Sequence, residues 1–75
     1  MEAYEGERLY WDSSYALALR LMAAHPHVPL AEVTLGMLCA WVLELPEFAD
    51  DPELVNDDLL GAILQEWLEE SLAHE

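Results

Sequence analysis

Carboxylates are the side chains of this sequence whose number and spacing bear most directly on function. Seven fall between positions 44 and 58 and three follow near the C-terminus: Glu44, Glu47, Asp50, Asp51, Glu53, Asp57, Asp58, Glu66, Glu69 and Glu70. Clustered carboxylate oxygens suit hard cations such as Fe²⁺, Mg²⁺ or Ca²⁺, and a surface of one sign steers a basic partner towards it. The spacing is not that of an EF-hand loop, so we expect any cation site to be shallow and weak. The alternative is a solvated face that keeps a small protein in solution.

The overall charge limits the classes of partner. The 75 residues include 16 acidic and 2 basic side chains, for a formal net charge of −14. Two arginines cannot neutralise a phosphate backbone or an anionic membrane surface, so we expect neither nucleic acid nor membrane as a partner. Apolar residues nevertheless make up 55% of the chain and include three tryptophans, which indicates a folded protein. The length allows one domain and no deep catalytic cleft.

Nucleophilic and metal-binding side chains give no support for catalysis. Cys39 has no basic neighbour in the sequence to activate a thiolate, and Ser13 and Ser14 have no evident His/Asp partners. His25 and His27 flank a proline, a pattern that we interpret as a helix end followed by an exposed histidine, with a transition-metal clamp as the alternative. A single cysteine forms no internal disulfide, and no signal peptide or membrane span is evident, so we expect a soluble, cytoplasmic protein that is not an enzyme.

Helical periodicity predicts the elements that position these side chains. A first helix is expected from a cap at 12–14 to about Ala24, a second over about 35–45, and a third from a cap at Asn56. The loop between the second and third helices has proline at both ends, and Phe48 is expected to pin it to the core. No segment alternates as a strand does, so we predict a small all-α, single-domain, three-helix fold.

The first helix carries a second apolar stripe besides the one expected to face the core. Tyr15, Leu19 and Met22 are spaced i, i+4 and i+7, which places them on one face. Contiguous exposed apolar surface usually marks a contact site. We therefore identify this stripe as a possible contact face for a partner or a second copy, with cover by the N-terminal segment as the alternative. A monomer remains the expected state.

Several separated patterns together resemble the IscX (YfhJ) family, small acidic proteins of bacterial iron–sulphur cluster assembly. The resemblance covers about residues 11–70, and its ordered spacing is more specific than any single motif. The matching elements are Trp11 with the cap at 12–14, Ala24-X-Pro26, Val33, Trp41-Val42, Leu45-X-X-Phe48, Asp50-Asp51-Pro52, Asn56, Leu60, Ala62-Ile63 and Trp67-Leu68-Glu69-Glu70. The sequence departs from the family on the first helix, where Tyr15, Ala16 and Leu19 stand at positions that are usually charged.

The resemblance implies a winged-helix-like fold without a developed wing, over residues 11–72, between a polar tail at 1–10 and a short tail at 73–75. It also implies a non-enzymatic regulator or adaptor that binds a basic surface of cysteine desulfurase through an acidic face. The partner-binding residues would be Glu44, Glu47, Asp50, Asp51, Glu69 and Glu70. Weak binding of Fe²⁺ would use Asp12, Glu44, Asp50 and Asp51, with no tightly bound cofactor. The alternative is an acidic helical adaptor, or a nucleic-acid mimic, that binds another basic protein surface.

Overall fold

The computed structural model describes residues 8–73, which form three α-helices joined by two 3₁₀ turns. Helix α1 spans Ser14–Ala24, α2 spans Leu35–Glu44 and α3 spans Asp57–Ala73, with the turns at Leu30–Glu32 and Pro52–Leu54. Within 8–73 the β-type pairing is limited to a parallel bridge between Leu9 and Phe48, and no strand hairpin forms a wing. The all-α, single-domain prediction is confirmed. In the same residues, no helix has the length and apolarity that crossing a membrane requires.

Short polar side chains set the starts of α2 and α3. Thr34 Oγ1 accepts a hydrogen bond from the backbone N–H of Met37 at 3.1 Å, and Asn56 Oδ1 accepts one from Leu59 at 2.8 Å. The cap predicted at Asn56 is therefore confirmed. The cap predicted for α1 is different, because Ser13 precedes the helix without a side-chain cap and its hydroxyl accepts from the N–H of Tyr10 instead. That bond closes the turn that leads from Trp11 into α1.

The core forms where α1 packs on α3, with α2 against both. Its buried members are Leu9, Trp11, Leu17, Ala18, Leu21, Val33, Leu38, Val42, Leu60, Ile63 and Trp67. Trp41 is half-buried at the edge of this core, where it lies 6.2 Å from Trp67 between ring centroids. His25, the residue that ends α1, stacks on the Trp41 ring at 3.9 Å and 21°. The histidine before the proline thus joins the end of α1 to α2.

Within the described residues, packing against the core begins at Leu9, two residues before the boundary predicted at residue 11. Leu9 is only 2% exposed and pairs with Phe48 through the parallel bridge. Residues 1–7 and 74–75, the rest of the two predicted tails, lie outside the described residues. At the other end, Ala73 is still part of α3.

Two apolar stripes are buried less evenly than their periodicity predicts. On α3 the spacing of the apolar residues predicts one continuous stripe from Leu59 to Leu72, but Leu68 is 41% and Leu72 61% exposed. On α1 the second stripe is split, since Met22 packs against the core and Leu19 is half-buried, whereas Tyr15 is 51% exposed. Of the three residues predicted to form a contact face on α1, only Tyr15 is therefore exposed.

Candidate functional site

The segment before α1 is fastened to the loop that follows α2. The N–H of Leu9 donates to the carbonyl of Glu47, and the N–H of Ala49 donates to the carbonyl of Leu9, both at 2.9 Å. Trp11 then donates twice, from its backbone N–H to Asp50 Oδ2 at 3.0 Å and from its indole Nε1 to the carbonyl of Asp51 at 2.8 Å. Phe48 packs edge-on against the Trp11 ring with 4.7 Å between centroids. The buried indole thereby fixes the acidic loop in place.

Both aspartates of the loop also shape its backbone. Asp50 Oδ1 accepts from the N–H of Asp51 at 2.7 Å, and Asp51 Oδ1 accepts from Glu53 at 3.0 Å. Asp51 is thus the cap of the 3₁₀ turn, whose first residue is Pro52, a position where the missing N–H of proline costs nothing. Their carboxylates are therefore held in fixed directions, which removes much of the entropy cost of ordering them on binding.

An open groove of about 430 Å³ runs beside this loop. It is lined by Tyr10, Trp11, Asp12, Asp50, Leu54 and Leu59. The groove combines aromatic and aliphatic walls with two carboxylates. That combination matches a lysine or arginine side chain, which has an aliphatic stem and a cationic head. Tyr10, Leu54 and Leu59 were not predicted as site residues, since their role depends on the fold of the loop and not on charge.

A second group of acids lies beside the first turn of α1. The Tyr15 hydroxyl donates to Glu70 Oε2 at 3.1 Å. This hydrogen bond and the negative charge of Glu70, followed by desolvation and the charge of Glu66, raise the pKa of the Tyr15 phenol. Because Tyr15 is in the first turn of α1, Glu70 and Glu66 lie beside the start of that helix. Glu66 was not in the predicted partner-binding set.

The structure brings together some of the predicted partner-binding residues and separates others. Asp50, Asp51 and Glu47 share the loop fastened to the 9–11 segment, and with Asp12 they form what we call the Trp11 acidic surface. Glu47 lies at its edge, with Oε2 3.8 Å from Arg20 Nε. Glu69 instead accepts from Gln65 one turn earlier on α3, and Glu44 is exposed at the last position of α2 and takes no part in the contacts just described.

Comparison with known proteins identifies the family. A family model described as iron–sulphur cluster assembly matches residues 9–71. The chain belongs to this family. It is also 39% identical over 62 residues to an uncharacterised protein of Pseudomonas aeruginosa. The aligned residues make up 83% of this chain and 94% of that protein. The resemblance to the IscX family stated from the sequence is therefore confirmed, and the family match supports a role in iron–sulphur cluster assembly.

The region that the family model matches includes every residue of the Trp11 acidic surface. It begins at Leu9, which is buried. The bridge of Leu9 to Phe48 and the two bonds from Trp11 are thus contacts within the family domain. The matched range thus includes residues 9–10 as well as the predicted domain from residue 11.

The four residues predicted to bind ferrous iron are not grouped as the ligands of one metal ion. Among residues 8–73 no three His, Cys, Asp or Glu side chains are grouped so that they could hold a metal ion. Both oxygens of Asp50 and one of Asp51 already accept backbone hydrogen bonds. Asp12, Glu44, Asp50 and Asp51 therefore do not fit a multidentate iron site.

Proposed function

We propose that this protein is a non-enzymatic regulator or adaptor of iron–sulphur cluster assembly that binds cysteine desulfurase through the Trp11 acidic surface. The observation that carries the proposal is the pair of hydrogen bonds from Trp11 to the 50–51 loop. These bonds hold carboxylates at a fixed place beside a groove suited to a cationic side chain. The desulfurase would contribute a basic surface with at least one protruding lysine or arginine.

In this proposal the protein acts by electrostatic attraction of a basic partner and not by catalysing a reaction. A net charge of −14 accelerates encounter with a positive surface, and the acceleration falls as ionic strength rises. A cationic side chain then enters the groove, where Asp12 and Asp50 neutralise it and Tyr10 contacts its stem. Occupying the basic surface competes with other partners that use it and slows sulphur delivery. The bound protein contributes no catalytic group in this scheme.

Charge reversal at two matched positions tests the proposal. Asp12→Lys and Asp58→Lys each change the net charge by the same amount, but only Asp12 lines the groove, while Asp58 lies in the first turn of α3. We expect calorimetric titration into a bacterial cysteine desulfurase at low salt to show affinity reduced about tenfold or more by Asp12→Lys, and reduced less than about threefold by Asp58→Lys. Alanine production by the desulfurase should fall with the unmodified protein and recover with Asp12→Lys.

Three results would contradict the proposal in different ways. Absence of binding by the unmodified protein removes the desulfurase as partner. Equal losses from the two lysine variants show that only net charge matters, which favours a general acidic adaptor. Displacement of the protein from its basic partner by duplex DNA favours the nucleic-acid mimic.

A further inference from the structure

A separate apolar groove lies on the opposite flank of α3 from Tyr15, between that helix and the first 3₁₀ turn. Its volume is about 330 Å³ and it is lined by Leu30, Ala31, Leu64 and Leu68. Leu68 is exposed and Leu72, one turn further on, more so. None of these residues belongs to the Trp11 acidic surface, and the packing within residues 8–73 leaves the groove open.

Gly61 continues the same stripe towards the start of α3. It precedes Leu64 by three residues and Leu68 by seven, which places it on their face of the helix. Among residues 8–73, a Cβ at this position would meet no atom within 4 Å, so no close contact in that part of the chain requires glycine here. Glycine inside a helix is destabilising relative to alanine. A missing side chain beside exposed leucines instead leaves space for another backbone to approach.

Acidic residues adjoin the groove-lining residues along the chain. Glu32 follows Ala31, Glu69 follows Leu68, and Asp57 lies one turn before Gly61; all three are exposed. An apolar strip with acidic borders is complementary to an apolar strip with basic borders. A second copy of the chain would bring the same acidic borders, and another net charge of −14, against the first. From Gly61 to Leu72 the stripe spans about 16 Å, or roughly three helical turns.

We propose that this groove binds a basic amphipathic helix of a partner protein, with apolar residues at i, i+4 and i+7 on the leucines and its backbone close to Gly61. Lysine or arginine beside that apolar strip would face Glu32, Asp57 and Glu69. The interface is separate from the Trp11 acidic surface, and it goes beyond the proposed function. A partner with both a basic surface and such a helix could occupy the two sites together.

The test uses a synthetic 16-residue peptide of leucine, lysine and alanine, patterned as an amphipathic helix and carrying a fluorophore. A scrambled peptide of identical composition is the ligand control. Titrations are made by fluorescence anisotropy in 0.3 M NaCl, where screening over about 6 Å suppresses non-specific attraction. The protein variants are Gly61→Leu, which fills the approach space, and Leu68→Gln, which removes an exposed apolar contact. Ala62→Leu is the matched control, because Ala62 is exposed on a different face of α3.

The proposal expects the helical peptide to bind at least about tenfold more tightly than the scrambled one. It also expects Gly61→Leu and Leu68→Gln to weaken binding about fivefold or more, and Ala62→Leu to change it less than about twofold. Urea unfolding confirms that each variant is folded.

Equal binding of the two peptides, or unchanged binding after both Gly61→Leu and Leu68→Gln, overturns the proposal. A dimer of the unmodified protein in sedimentation that Gly61→Leu dissociates would identify a second copy as the occupant and also overturns it. None of these outcomes depends on whether cysteine desulfurase is a partner.

Discussion

The backbone N–H of Trp11 donates to the carboxylate of Asp50 at 3.0 Å, a bond between residues 39 positions apart. It joins the approach to α1 to the loop between α2 and α3. The same carboxylate accepts from the N–H of Asp51 through its other oxygen. Asp50 is therefore a structural residue of the acidic loop as well as a source of negative charge, and its two roles can be separated experimentally.

Replacing Asp50 with alanine is expected to lower the free energy of unfolding by about 1–3 kcal/mol, because two backbone N–H groups lose their acceptor. Asp12 is exposed and accepts neither of these hydrogen bonds, so Asp12→Ala is expected to change the free energy of unfolding by less than about 0.5 kcal/mol. Urea denaturation followed by tryptophan fluorescence measures both values. Equal effects of the two substitutions would mean that the bonds of Asp50 contribute no net stability.

The phenol of Tyr15 is expected to ionise at a lower pH when Glu70 is replaced by glutamine. Its pKa is raised by the hydrogen bond to Glu70 and the charge of Glu70, then by partial desolvation and the charge of Glu66, and the substitution removes one charge. Ultraviolet absorbance of the phenolate, taken as the difference from Tyr15→Phe at each pH, isolates this residue from the other two tyrosines. Gln65→Glu is the control, since it adds charge on another face of α3. An unchanged titration would contradict the assigned contact.

The hydrogen bond between Tyr15 and Glu70 also determines the direction in which folding stability changes with pH. A phenol whose folded pKa lies above its unfolded pKa of about 10 contributes stability that is fully present below that pH. The contribution is lost as pH rises through the folded pKa. The difference in unfolding free energy between the native sequence and Tyr15→Phe should therefore be constant at neutral pH and shrink above about pH 10.

The helices could be predicted from the sequence because their signals are local. Asn56 before two aspartates, the proline after His25 and the spacing of leucines each depend on neighbours in the chain. The stripe on α3 was predicted too wide, since periodicity states which residues share a face but not how much of that face a neighbouring element covers. Leu68 and Leu72 are exposed because the first 3₁₀ turn covers only part of α3.

The candidate site was harder to predict because its contacts are long-range. Charge density identified Asp50, Asp51 and Glu47 correctly as neighbours on one loop. It could not identify Tyr10, whose place in the groove depends on the bridge between Leu9 and Phe48. It also grouped Glu69 with Glu70, although successive helical residues point in different directions and only Glu70 reaches Tyr15.

Salt is expected to raise the melting temperature. Sixteen acidic and two basic side chains repel one another in the compact state, and screening weakens that repulsion. Differential scanning fluorimetry at 20 mM and 300 mM NaCl, with sodium sulphate excluded to avoid its general stabilising effect, measures the shift. A melting temperature that is unchanged or lower at 300 mM would show that the carboxylates are too dispersed to repel strongly.

Ferrous and magnesium ions are expected to stabilise the fold to the same small extent at equal concentration. The described residues supply carboxylate oxygens but no grouped set of three ligands, so divalent cations act here by screening and loose association. Anaerobic melting experiments with each ion, at constant ionic strength, make the comparison. A saturable, iron-specific increase that Asp12→Asn abolishes would contradict this expectation and restore an iron site at the Trp11 acidic surface.

Gly61→Ala is expected to stabilise the protein by about 0.5–1 kcal/mol, because alanine restricts the unfolded chain and favours the helix. The added Cβ meets no atom within 4 Å, so no steric cost offsets this gain. Ala62→Gly, at the next position and exposed to solvent, is the mirror control and should destabilise by a similar amount. Urea denaturation of the three proteins measures both changes. A loss of stability from Gly61→Ala would show that the fold itself needs glycine, and the open space beside Leu64 and Leu68 would then lose its significance for a partner.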